Sequence, residues 1–345
     1  MTIDSAYLTD FLVGLLQTPS PTGDTAQGIA FIKSALDTLS IPSHLTHKGA
    51  LVATLPGQSQ TAPRGVTAHV DTLGAMVKDI RPNGRLTLTQ LGGYAWNAIE
   101  GENVSVSTHE RGTIRGTVQL INASTHVHGA AVGEAKRDAS SLEVRLDART
   151  VNAEQTIALG IGVGDFVSLD PRVETVNGFI KSRHLDDKAG VACVVAAAKA
   201  LQDAHLAPAQ TTILHFSNYE EVGHGAASGF PPDLCELLTV DMAAIGQGQT
   251  SDEYHCTLCV KDSGGPYSVD FNNRLRRLAK DNALELKTDI YPSYGSDGEA
   301  LWRAGADVQV ALIGPGVDAS HGYERTHTDS LVDTARLIGY YLLAG

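Results

Sequence analysis

Apolar residues recur at helical spacing through the first forty positions. Leu8, Phe11, Leu12, Leu15 and Leu16 form one run, and Ile29, Ile32, Leu36 and Leu39 a second. Between them PSPTGDT breaks the pattern, and Ser20, Thr22 and Asp24 offer themselves as helix caps. GVTAHV has no helical period and is long enough for one buried strand. From about Thr72 to Asp165 the period falls to two. RLTLTQL, NVSVSTH, GTIRGTVQLI and SLEVRLDA alternate between glycine-marked turns, with no long helix among them, which predicts a small β-barrel or sandwich. Helices and short apolar strands then alternate. AGVACVVAAAKALQDA predicts a helix, TTILHFSN a strand, CELL a helical turn and LTVDMA a strand. SVDFNNRLRRLAKDNAL predicts a second helix, DVQVALIG a strand and SLVDTARLIGYYLLAG a closing helix. The expected architecture is α/β, a mostly parallel sheet flanked by helices with an inserted small β-barrel. Its parts are residues 1–72, residues 73–165 as the insertion, and residues 166–345.

Composition changes this picture little. Of 345 residues 42% are hydrophobic and 19% charged, which is ordinary for a folded chain. The net charge of -13 argues against nucleic acid or an anionic membrane as partner. No apolar run approaches the roughly 20 residues of a membrane span, and MTIDSAYLTDFLVGLL reads as an amphipathic helix, not a leader. Four scattered cysteines do not form a disulfide framework, and Cys256 and Cys259 are expected to pack within a strand. The expected compartment is the cytoplasm.

The chemistry lies at element ends. GVTAHV leads to His69 and Asp71, TTILHFS to Glu220 and Glu221, and LTV to Asp241, while Asp186 and Asp187 precede a helix. Open α/β sheets bind ligands beyond the carboxyl ends of their strands. A carboxylate shared by two divalent ions, each completed by histidine and carboxylate, suits zinc, cobalt or manganese. Such ions polarise a carbonyl and acidify water, and a further carboxylate moves the proton. Neighbouring Glu220 and Glu221, on extended backbone, would point different ways, one to ligate and one to act as base. Each pattern alone also suits a surface turn, an N-cap or a solvated loop; their joint order carries the inference.

With these residues the chain resembles the tetrahedral aminopeptidase family, which includes glutamyl and deblocking aminopeptidases. The likeness runs through PSPTGDT, AHVDTLGAMV, LDARTVNAEQTIALGIGVGDFV, SRHLDDKAGVACVVAA, NYEEVGHGAA, TVDMAAIGQG and YGSDGEAL. It implies two metal ions per subunit. His69 would bind the first, oriented by Asp71. Asp186 would bridge, Asp241 would complete the first site, Glu221 would bind the second, and Glu220 would be the general base. Asp297 falls at a motif lining the cleft. For the last ligand His327, followed by Thr328, fits the family pattern better than His321 does. His126 and His128, inside the insertion, are read as surface or core histidines. His184 and His224 flank site residues and are read as ordinary loop histidines. DSGGPYS and GYERTHTDSL resemble the subset that accompanies synthesis of an acetylated dipeptide-amide osmoprotectant.

The resemblance implies an aminopeptidase acting on short peptides, and subunits paired through the inserted domain into a tetrahedral dodecamer. The alternatives are a dinuclear deacylase or amidase with the same site, and a non-catalytic assembly protein of the same fold. A metal-dependent endoglucanase ranks last, because glycosidases use two carboxylates without metals. An acidic side-chain preference would need a nearby cation, for which Lys261 and Arg325 are candidates.

Overall fold

The computed structural model describes residues 1–345, which divide into two compact units. The first comprises Met1–Asp71 and Arg172–Gly345, and the second Thr72–Pro171.

A nine-stranded sheet organises the first unit. Its centre is four parallel neighbours in the order Gln210–Ser217, Ser59–His69, Glu236–Val240 and Gln309–Val317. Antiparallel edges flank them, with Ser43–Leu45 and Leu51–Leu55 on one side. On the other, Cys256–Lys261 pairs antiparallel with Gln309–Val317 and parallel with Leu286–Ile290. The two-residue period of a strand sorts side chains to opposite faces. Leu238, Val240, Ala311 and Ile313 join one core with helices Leu185–Asp203 and Thr328–Leu343, while Leu237, Val310 and Leu312 join another with Leu301 and Tyr267. Both faces are covered, which is why the central strands read as unbroken apolar runs.

CELL is not helical. Its Glu236, Leu237 and Leu238 begin a strand, because a parallel neighbour on each side claims the backbone hydrogen bonds and the two leucines serve opposite faces. The GVTAHV strand begins earlier, at Ser59. Strands Leu51–Leu55 and Leu286–Ile290 carry no clear pattern of their own.

The second unit is a closed antiparallel barrel of six strands, filled by Val77, Leu88, Val104, Val106, Val118, Val144 and Val167. Its far boundary lies beyond residue 165 because Phe166–Leu169 pairs with Gly74–Ile80 and Asn103–Thr108 and closes the barrel. The helices within it are short, the longest being Ala153–Ala158. No helix of the chain is long and apolar enough to cross a membrane.

Candidate active site

The four parallel strands end on one edge of the sheet, and the chain leaving each of them supplies a polar side chain there. His69 is the last residue of its strand and is 1% exposed. Its Nδ1 lies 2.9 Å from the Asp71 carbonyl oxygen, which fixes Nδ1 as the protonated nitrogen and turns Nε2 outward. The Asp71 carboxylate stands 3.5 Å away and has other work. It accepts hydrogen bonds from the backbone N–H of Glu220 at 3.1 Å and of Glu221 at 3.3 Å, and from the Thr22 hydroxyl at 2.8 Å. A single buried carboxylate thus anchors the turn that carries both glutamates.

That turn, Glu220–Val222, is a 3-10 turn and not extended chain, yet the two side chains still diverge. Glu220 joins His69 and Asp241, with its Oε2 3.8 Å from His69 Nε2 and Asp241 Oδ1 also 3.8 Å from that nitrogen. Glu221 joins Asp186 and His321. Asp186 reaches both groups, with Oδ1 3.1 Å from His69 Nε2 and Oδ2 3.4 Å from His321 Nε2. Its neighbour Asp187 instead accepts from Gly190 N–H at 3.1 Å and His69 N–H at 3.3 Å, capping the helix and bracing the strand end.

His327 does not join either group. Its Nδ1 accepts from Asp329 N–H at 3.1 Å, making it the N-cap of the closing helix, and its ring packs 4.9 Å from Phe179 and 5.3 Å from Tyr254. His321, and not the expected His327, is the histidine grouped with Asp186 and Glu221. The strand before His321 runs to Val317, so the loop that follows delivers His321 to the same sheet edge as the other groups. Glu324 fixes that loop. Fully buried, its carboxylate accepts from His321 N–H at 3.1 Å, Leu185 N–H at 2.6 Å and Asp186 N–H at 3.1 Å. Nothing in the sequence marked it, since a lone glutamate in GYERTH looks like surface.

Asp297 lies behind the site, not on the cleft wall. It accepts from the Ser217 and Thr67 hydroxyls and from Ala226 N–H. His126 and His128 are on the short helix Thr125–His128 of the barrel unit. The His224 ring stacks on Tyr219, and His184 precedes the Leu185–Asp203 helix; neither joins the clusters. Lys261 donates to the Asp262 carbonyl and Arg325 pairs with Glu253, and neither lines the cavity.

The two groups open into one cavity of about 560 Å³. Its carboxylates crowd each other. Burial first, then the charge of Asp186, pushes both Glu221 and Asp241 up to about 8. Burial likewise raises Glu220, with Asp241 adding to it against the opposing pull of His69. Burial acts to lower the His69 pKa, but the carboxylates of Asp186 and Asp71 outweigh it and raise it. Buried Glu221 Oε1 has no hydrogen-bond partner. Carboxylates brought together, an orphaned oxygen and two imidazoles make a donor set that fits a pair of divalent cations, whose charge would reverse these shifts.

Residues 49–337 match the family model described as M42 glutamyl aminopeptidase. The Bacillus subtilis protein YhfE, which carries an aminopeptidase name, is 47% identical over 329 residues, covering 95% of each chain. Among solved structures, a TET aminopeptidase from a Thaumarchaeota archaeon superposes with a TM-score of 0.88 at 16% identity, covering 99% of this chain and 97% of its own. The Pyrococcus horikoshii TET1 peptidase gives 0.84 at 20% identity over 98% of this chain and 100% of its own.

Proposed function

This chain belongs to the M42 glutamyl aminopeptidase family, and from that membership we propose that it releases amino-terminal residues from short peptides at a two-metal site with Glu220 as general base. It is a peptide hydrolase; the ions, the base and the ligand set are the proposal. His69, Asp186 and Asp241 would hold one ion, and Asp186, Glu221 and His321 the other. Zinc suits this donor set first, with cobalt or manganese as alternatives. Two such ions would supply a polarised scissile carbonyl and a water acidic enough to react at neutral pH.

The protein's own groups do the rest. Glu220 faces the cavity, and its backbone is pinned by Asp71. With Asp186 already 3.1 Å from His69, the first group has three donors without Glu220, which leaves its carboxylate available for the proton. It takes that proton from the attacking water and passes it to the nitrogen of the breaking C–N bond, so the amine leaves neutral. Asp71 keeps the His69 tautomer through its carbonyl and holds the Glu220–Val222 turn through its carboxylate.

The observation that carries the reading is Asp186, one carboxylate within 3.1 Å of His69 and 3.4 Å of His321. Glu220→Gln is expected to lower kcat on an aminoacyl-p-nitroanilide by ~10²–10⁴-fold while bound metal is unchanged. Retention of wild-type kcat in that variant would remove Glu220 from the mechanism.

A further inference from the structure

The cavity that the clustered carboxylates line also carries one arginine, Arg303, from the helix Asp297–Arg303. That charge is already engaged. The Arg303 guanidinium donates to Glu299 one turn earlier on the same helix. Glu299 cannot swing aside, because it is 2% exposed and its Oε1 accepts from Gly264 N–H at 2.6 Å. Any side chain at 264 would collide with that carboxylate, so the glycine in DSGG is what lets it nest. Fully buried Asp262 braces the same loop, accepting from Gly265 N–H at 2.8 Å and from the Tyr267 hydroxyl. Burial first, then Asp262, pushes Glu299 up to about 7. Arg303 holds it down, so taking Arg303 away would oblige this buried carboxyl to take up a proton or stand unpaired.

The wall that carries Arg303 is otherwise neutral. Tyr291 and Tyr294 both line it; the Tyr291 hydroxyl is turned into the protein, and the Tyr294 hydroxyl lies beside the Asp241 carboxylate. One lies 2.8 Å from Ser251 Oγ, and the other donates to the Met242 carbonyl at 2.7 Å. Neither brings a charge to the cavity, since burial and then the neighbouring Asp241 hold the Tyr294 hydroxyl well above its ordinary pKa.

We propose that this wall receives the side chain of the amino-terminal residue and selects uncharged ones, aliphatic, aromatic or amide, with the Glu299–Arg303 pair as the specificity determinant. A substrate carboxylate would meet a guanidinium whose charge a fixed internal carboxyl already offsets, and a substrate cation would meet Arg303 itself. The inference rests on the aminopeptidase reading for the side of the scissile bond, and it sets the substrate class within that reading.

The test has two arms, each using the metal-reconstituted full chain. The first measures kcat/KM on leucine, glutamine, glutamate and lysine p-nitroanilides for the wild type, Glu299→Gln and Arg303→Met. The wild type should favour leucine and glutamine over glutamate and lysine by at least tenfold. Glu299→Gln, by freeing Arg303, should raise glutamate relative to leucine, and Arg303→Met should raise lysine relative to leucine. Arg303 is largely exposed, so its variant keeps the test alive if Glu299→Gln fails to fold. The second arm measures binding of the four free amino acids by calorimetry. If no anilide is cleaved, the peptidase reading fails while calorimetry still ranks the pocket. Glutamate turned over or bound as well as leucine by the wild type, with Arg303→Met abolishing that preference, would overturn the inference. So would unchanged ratios in both variants, or no binding of any amino acid.

Discussion

His69 shows how much of this site is decided by one backbone contact. Its Nδ1 faces the Asp71 carbonyl, so the nitrogen left for chemistry is Nε2, and Asp186, Glu220 and Asp241 all stand around that atom. His215, on the adjacent strand, illustrates the opposite fate. It is buried, its Nε2 has no partner, and burial followed by the charge of Lys48 lowers its pKa to about 4 from 6.5. Between pH 6.5 and about 4 the unfolded chain therefore binds a proton that the folded chain refuses. Stability is lost as pH falls through that window, by up to roughly 3 kcal/mol from this group. Denaturant unfolding of His215→Gln against the wild type should show a shallower loss between these limits; parallel curves would count against it. Single residues were legible where the end of a strand or the start of a helix announced them, as the helix start did for Asp186. His69, Asp71, Glu220, Glu221 and Asp241 all follow apolar runs, but His321 follows a strand whose last residues, GPGV, do not look like one.

At the scale of elements, the candidate site exists because four parallel strands stop together. The sequence conveyed that much, since a two-sided strand must be apolar throughout and its end is where polarity resumes. It did not convey the register, which depends on partners far along the chain. Gly314 is an example. It sits in the strand Gln309–Val317 where the Asp241 backbone crosses so closely that a Cβ would collide with the Asp241 carbonyl oxygen. The Asp241 N–H meanwhile donates to the Ile313 carbonyl at 3.0 Å. Gly314→Ala should therefore push Asp241 out of line. We expect a loss of ~1–3 kcal/mol of stability, read as a lowered Tm, together with weaker metal binding. An alanine variant with wild-type melting and metal content would show that the crossing has slack. CELL failed for the converse reason, a helical-looking tetrapeptide overruled by neighbours on both sides.

For the whole molecule, the insertion was readable from the change of period, but its end was misplaced by a strand that only the closed barrel explains. Assembly was never readable from composition. A solved neighbour of 21% identity is described as a dodecamer, and the Pyrococcus horikoshii TET1 peptidase as forming a tetrahedron or an octahedral shell. The barrel unit here exposes Val127, Val151 and Val163. The family resemblance implies assembly, which light scattering tests against the 36.4 kDa mass of the chain: a multiple of it supports that expectation, and a monomer contradicts it. The central claim concerns the ligand set, and metal stoichiometry tests it most directly. Metal analysis of dialysed protein should find two ions per chain in the wild type and in His327→Ala, and one in His321→Ala. Two ions in His321→Ala with one in His327→Ala would contradict the account.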